Sequence, residues 1–340
     1  MFRRAALALI AFAGLALILL TVIFGMWGKS QAIHGLVKSF GPGYQPVAMR
    51  QSQADFQTVS AMANQLQHQA LPGLAATLKL TPAQFENGLA TRYPAVGTGI
   101  AELPSALSWF GDLGARIGRE RSNYEEAAAI PVKGLAGTTV PWLMVIPGLL
   151  LLVGAGLAAL WKPSWSRGVA ILGIVVGVGL VVGPLVTSLP AKATAVDQLV
   201  GTFKPILTPP GPQKTASYVT TMSAMSAQFN SRALPGLAKQ LHTTTPALRQ
   251  LLAARYPAVG TGLSELPSIL PRFRAMSATI NANIANYQKA ESLPWRGAPA
   301  IMLYWFLAIP GALAALGGGA FLIWQRRPEA STVKTSAVAA

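Results

Sequence analysis

The chain repeats itself at a constant offset of 163 residues. Residues 92–99 and 255–262 both read RYPAVGTG, and the same shift carries ALPGLA at 70–75 onto 233–238 and ELPS at 102–105 onto 265–268. It also carries Asn123 and Tyr124 onto Asn286 and Tyr287, and Trp142, Ile146, Pro147, Gly148 and Trp161 onto Trp305, Ile309, Pro310, Gly311 and Trp324. Self-similarity at a fixed period is the mark of one structural unit used twice.

Each half holds two apolar runs flanking a long polar stretch. The runs lie near 5–27, 141–161, 168–189 and 299–324, and none contains Asp, Glu, Lys, Arg or His. At about 1.5 Å per residue each is long enough for a hydrocarbon layer of about 30 Å. Four transmembrane helices are expected. The first run is longer than a signal-peptide core and no small-x-small cleavage site follows promptly, so it is read as a retained span. The fold class predicted is an all-α membrane protein made of two tandem parallel repeats, 1–163 and 164–326. Each repeat places an α-helical extracytoplasmic segment, 28–140 or 190–298, between its two spans. The remainder, 327–340, lacks apolar periodicity and reads as a disordered cytoplasmic tail.

Arg3 and Arg4, Lys162 and Arg167, and Arg326 and Arg327 flank the runs on one side, and the positive-inside rule places that side in the cytoplasm with both termini. Both halves then run through the membrane in the same sense, so their relating axis should lie along the membrane normal. Seven of the eight Trp fall near the expected boundaries, as an aromatic belt does, and Trp109 is the exception. With no Cys and no Asn-x-Ser/Thr acceptor in either external segment, and with Ala, Gly and Pro abundant, the chain reads as a protein of a bacterial cytoplasmic membrane. The cytoplasmic pieces are too short to bury a core. Function therefore lies outside, within the membrane, or with partners.

The external segments read as helical. Ile33, Leu36, Val37 and Phe40 form an amphipathic stretch, repeated by Val196, Leu199, Val200 and Phe203, either an interfacial helix or a straight extension of the span. A second helix through Phe56, Val59, Met62 and Leu66, or Val219, Met222, Met225 and Phe229, is expected to end near Pro72 or Pro235. A short helix follows from Pro82 to Arg92 with Thr81 at its start and Pro94 as its stop. A longer one then carries Phe110, Ile117 and Tyr124, and Phe273, Ile280 and Tyr287, at a spacing of seven, which marks a seam against other helices. The two external segments are expected to pack on each other.

The repeated RYPAVGTGxxELPS segment is the candidate site. It reads as a loop in which Gly97 and Gly99 allow positive φ and Glu102 with Pro104 opens the next helix. Arg92 and Glu102, with Arg255 and Glu265, then face a partner or an anionic lipid head, or alternatively pair with each other or cap helix ends. Gly97-Thr98-Gly99 lacks the third Gly of a dinucleotide fingerprint and the Gly-Lys-Ser/Thr of a P-loop. His34, His68 and His242 are unmatched by the repeat, and Glu125 and Glu126 become Gln288 and Lys289. The chain thus offers no metal site, no cofactor site and no acid-base pair, and it is read as non-enzymatic.

Charge is unequally shared. The first external segment has nine Lys/Arg against seven Asp/Glu, and the second eleven against three. The second should prefer anionic lipid headgroups, a phosphate-bearing envelope polymer or an acidic protein face, with Arg232, Lys239, Arg249 and Arg272 as contacts, unless it is simply a solvated basic face. Nucleic acid is not expected as a partner; membrane lipids, a protein partner or a second copy are. Gly173xxxGly177, Gly179xxxGly183 and Gly311xxxAla315xxxGly319 predict the third and fourth spans at the packed centre and the first toward lipid.

No motif is specific enough to assign a family. The half-unit resembles, in layout alone, bacterial membrane proteins that hold a helical ectodomain between two spans, such as the polysaccharide co-polymerases. Two functions remain: a scaffold or accessory subunit acting through its ectodomain, and a transporter or channel component for a lipid or other hydrophobic molecule.

Overall fold

In the computed structural model, which describes residues 2–131, 137–160 and 163–326, sixteen α-helices follow one another and no strand occurs among the described residues. They are α1 (Phe2–Ile23), α2 (Met26–Phe40), α3 (Pro46–Gln65), α4 (Leu71–Thr77), α5 (Pro82–Arg92), α6 (Pro94–Arg119), α7 (Arg121–Ala128) and α8 (Trp142–Leu160), then α9 (Pro163–Val186), α10 (Leu189–Leu207), α11 (Gly211–Gln228), α12 (Leu234–Gln240), α13 (Thr245–Arg255), α14 (Pro257–Ala282), α15 (Ile284–Glu291) and α16 (Met302–Gln325). Backbone details recur at the sequence offset. Gly25 and Ser188 both take positive φ (58° and 55°), as do Lys79 and His242 (57° and 51°). Gly25 breaks the chain between α1 and α2, so the amphipathic stretch is a separate helix and not an extension of the span.

The chain forms two compact units that cut across the repeat. Among the described residues, one comprises those within 1–34, 125–197 and 289–326; the other comprises 35–124 and 198–288. The first holds four helical segments long and apolar enough to cross a membrane, Phe2–Ile23, Gly137–Leu160, Trp165–Val186 and Met302–Gln325. Within it α1 packs on α8 and α16, α16 also packs on α9, and α8 and α9 meet less extensively. Backbone closeness makes two of these seams. A Cβ on Gly148 would lie 2.8 Å from the Gly14 carbonyl oxygen, and one on Gly311 would lie 2.8 Å from the Gly177 carbonyl oxygen. Small residues let helices approach in this way.

The expected order of spans is corrected here. The spans Phe2–Ile23 and Met302–Gln325 are the more buried, at 39% each, against 28% for the other two. Ile10, Ala13 and Leu17 of α1 are fully enclosed, whereas Gly179 and Gly183 of α9 face open space. Only one of the two Gly pairs in α9 is used for packing. Helix α9 starts at Pro163, so Arg167, expected to flank the span, lies within it. Lys162 and the tail 327–340 lie outside the described residues.

In the second unit the halves interlock. The helix α3 of the first half packs on α14 of the second, and α11 of the second packs on α6 of the first. Val59, Met62, Leu103 and Phe110 share one core with Val219, Met222, Leu266 and Ile269. A second core joins Leu71, Phe85 and Leu89 to Leu234, Leu248 and Leu252. Neither half encloses these side chains alone.

Two expected boundaries are also corrected. Proline does not end the second helix at 72 or 235. The chain passes through single π-turns, Leu66–Ala70 and Phe229–Ala233, into α4 and α12. The Leu71 N–H reaches back to the Leu66 carbonyl, five residues away. The wider turn makes room for the proline ring that follows, which a regular helix would drive into a carbonyl. The long helix is likewise split, because α6 ends at Arg119 and Tyr124 belongs to α7.

Candidate functional site

Helix α5 starts with a capping box, Thr81 accepting from the Gln84 N–H while the Gln84 side chain accepts from the Thr81 N–H. It ends at Arg92. Tyr93 leaves helical geometry (φ −135°, ψ 73°), and Pro94, which needs no N–H partner, opens α6 at once. Tyr256 and Pro257 do the same before α14. The repeated segment is therefore a one-residue corner followed by helix, and Gly97, Gly99, Glu102 and Pro104 all lie inside α6. The expectation of a glycine loop with positive φ is overturned.

What the glycines supply is closeness. A Cβ on Gly97 would lie 2.6 Å from the Cα of Ala90, and one on Gly260 would lie 2.6 Å from the Cα of Ala253. Gly99 meets Met225 of the other half, and Gly262 meets Met62. The Tyr93 hydroxyl lies against Gly236, and the Tyr256 hydroxyl against Gly73. The N–H of Val96, in the first turn, is shared between the Tyr93 carbonyl at 2.9 Å and Oε1 of Gln228 at 3.1 Å, and the Val259 N–H donates to Oε1 of Gln65 at 3.1 Å. Pro104 removes the N–H that would serve the Ile100 carbonyl; Nε2 of Gln67 donates to it instead, at 3.4 Å. Tyr, Pro, Val and both glycines of the motif thus have packing duties. Arg92 and Arg255 remain exposed.

The candidate contact residues separate into groups. Glu265 is exposed and accepts from Thr58 Oγ1 at 3.3 Å, while Oε2 of the half-buried Glu102 has no hydrogen-bond partner among the described residues. The two carboxylates, corresponding at the offset of 163, thus have different environments. Arg232, Lys239 and Arg249 are exposed on the second half. Arg249 donates to Oδ1 of Asn230 at 3.2 Å, and the Arg255 guanidinium stands 6.0 Å from the Tyr256 ring centre. Arg272 differs from them, because its guanidinium holds Asp55 by two hydrogen bonds of 2.5 and 2.7 Å. That contact raises its pKa further above the ordinary arginine value. Its charge is committed internally.

Three features escaped the sequence reading. The first is the Asp55–Arg272 pair. The second is a ring stack of Tyr44 on Tyr124, with centroids 4.1 Å apart and planes 5° from parallel; burial, then the Glu120 charge, push the Tyr44 phenol well above its ordinary value. The third is an apolar cavity of about 50 Å³ where the two halves converge, lined in matched pairs such as Met62 with Met225, Leu66 with Phe229, and Ile100 with Leu263. A repeat whose internal identity clusters near an apolar junction is the sequence signal that would have pointed there.

In the other unit, Nζ of Lys29 donates to the Pro294 carbonyl at 2.6 Å, and Nζ of Lys192 to the carbonyls of Pro131 at 3.2 Å and Ala129 at 3.1 Å. The residues correspond at the offset of 163, so each half clamps a carbonyl of the other. Burial lowers the Lys29 pKa. Asp197 accepts from the Ala300 N–H at 2.8 Å, and burial raises its pKa against the opposing effect of that bond. Among the described residues no group of three metal-ligating side chains assembles. No protein family, curated protein or solved structure matches the chain.

Proposed function

We propose that this protein is a non-enzymatic integral membrane protein of the bacterial cell envelope, a scaffold or accessory subunit that spans the cytoplasmic membrane four times as two tandem parallel repeats. Both termini are then cytoplasmic and the unit of 35–124 and 198–288 is external. The internal identity and the matched helices support the duplication, and the Arg and Lys flanking the spans support the orientation.

One observation carries the functional part. Arg232, Lys239, Arg249 and Arg255 are all exposed on a stretch, 229–263, that contains no Asp or Glu. The matched stretch, 66–100, has Lys79 and Arg92 but also Glu86. A surface of one sign with no carboxylate in its own stretch attracts an oppositely charged envelope component. Arg272 does not belong to this surface. Charge reversal at the four positions to Glu is expected to weaken association of nanodisc-embedded protein with phosphatidylglycerol vesicles about tenfold at low salt, and added salt to erase most of the wild-type advantage. Association unchanged by reversal refutes the reading. The second reading, a transporter or channel component for a lipid or other hydrophobic molecule, is favoured by the apolar cavity, and unaided lipid transfer between vesicles by purified protein would establish it.

A further inference from the structure

The cavity between the halves is flanked unequally in the chain. Its lining is apolar apart from Ser226 and comes mostly in matched pairs, but the charged residues next to it in sequence do not match. At the offset of 163, Arg232 corresponds to Gln69 and Arg249 to Glu86. The cationic side lies next to the cavity in the chain. Phe229 lines the void, Arg232 sits in the same π-turn, and Arg249 is tied to Asn230, the residue after Phe229. Leu66, Ile100, Phe229 and Leu263 line the cavity while only half-buried, so its wall includes side chains that also meet solvent.

We propose that this cavity binds a single unbranched acyl chain with a carboxylate head, that is, a long-chain fatty acid. The tail enters between the halves and the head lies on the second-half side at Arg232 and Arg249. Apolar walls admit an apolar group, and two arginines carried beside lining residues of the second half, Arg232 three residues after Phe229 and Arg249 next to Leu248, suit an anionic head. At about 50 Å³ the resting void is roughly a third of the cavity of about 150 Å³ that holds benzene in an engineered protein. It therefore takes the chain end first, and Met62 and Met225, unbranched and adaptable, move aside for the following methylenes. The π-turns beside it, Leu66–Ala70 and Phe229–Ala233, are the kind of local widening that recurs at binding sites. The head-group assignment rests on the anionic-partner reading above; the tail assignment does not.

The test uses the full chain in nanodiscs with a fatty acid carrying a diazirine near its terminal methyl, and a matched fatty alcohol. Cross-links are expected within 62–71 and 225–237, besides bilayer labelling of the spans, which serves as an internal measure of folding. Ala70→Leu fills the void from a fully buried wall position, and Leu66→Trp blocks it from a half-buried one, so that one remains informative if the other does not fold. Either should abolish the ectodomain cross-links and leave those in the spans. Arg232→Ala with Arg249→Ala should weaken labelling by the acid about tenfold and leave the alcohol unchanged. Labelling confined to the spans, or ectodomain labelling that survives both filling variants, overturns the site. Acid and alcohol labelling alike in wild type and in the arginine variant overturns the carboxylate assignment. Vesicle association that persists while ectodomain cross-links are absent would reject the fatty-acid site and leave the proposed function standing.

Discussion

Arg272 holds Asp55 by a bidentate contact between the two halves of the chain, with Nε 2.5 Å from Oδ2 and Nη2 2.7 Å from Oδ1. Asp55 is 5% exposed and also accepts from Nε2 of Gln51 at 2.8 Å. The positions that correspond at the offset of 163 are Tyr218 and Trp109, both packed against the same core. The junction thus carries an ion pair on one side and aromatic rings on the other.

Arg272→Ala leaves a buried carboxylate without its cation. Breaking a buried pair costs about 3–5 kcal/mol, and the partial exposure of Arg272 reduces the expectation here to roughly 2 kcal/mol. Asp55→Asn should cost less, and the double variant should be more stable than the sum of the single effects. Thermal melts of the four proteins measure this coupling. Strictly additive effects would show that the contact contributes nothing of its own.

Gly97→Ala drives a methyl into the Ala90 backbone, at 2.6 Å from its Cα. Gly114 and Gly118, in the same helix, have nothing within 4 Å of an added Cβ. The first substitution should destabilise by about 1–3 kcal/mol, and the other two should be neutral or stabilise by up to about 1 kcal/mol from the better helix propensity of Ala. Equal effects at the three positions would remove the close-approach explanation for the glycines of the repeated motif.

The Tyr44 phenol has a raised pKa, with burial as the main cause and Glu120 and Tyr124 adding to it. Between the ordinary tyrosine value of about 10 and the higher folded value, the native state holds a proton that the unfolded chain has lost, so stability falls as pH climbs through this window. Tyr44→Phe should flatten that loss while leaving neutral-pH stability within about 1 kcal/mol, since the hydroxyl alone is removed. Melting temperature against pH, followed above pH 9, tests this; identical alkaline slopes in wild type and variant would remove Tyr44 as the cause.

The proposed topology puts both ELPS segments outside. Cys at Ser105 and Ser268, two exposed positions that correspond at the offset, should both react with a membrane-impermeant thiol reagent in intact cells, whereas Cys at Gln325 should react only after lysis. Protection of either external site together with labelling at Gln325 would reverse the orientation.

The four apolar helices were legible because hydropathy over twenty residues is a long, redundant signal, and the short helix α5 because Thr81 and Pro82 make a local start signal that needs no tertiary context. The interior of the repeated motif was misread for the opposite reason. Gly97 and Gly99 look like a loop to any local rule, and only the arrival of Ala90 and Met225 from elsewhere explains a glycine within a helix. Asp55 gave no sign of burial, because its partner lies 217 residues away. The centrality of α1 was hidden similarly: its single useful glycine, Gly14, gains meaning from Gly148, while the richer pairs in α9 are partly unused.

The reciprocal packing of α3 on α14 and of α11 on α6 has a consequence for assembly. Among the described residues, these contacts of one half with the other are made between segments joined covalently only through α8 and α9. Two chains that open at this passage can exchange halves and satisfy the same contacts between molecules, giving a dimer with no new interface. Such exchange is a low-cost route to oligomers in proteins built this way, and at high concentration in the bilayer it would convert an intramolecular closure into a linkage between neighbouring copies.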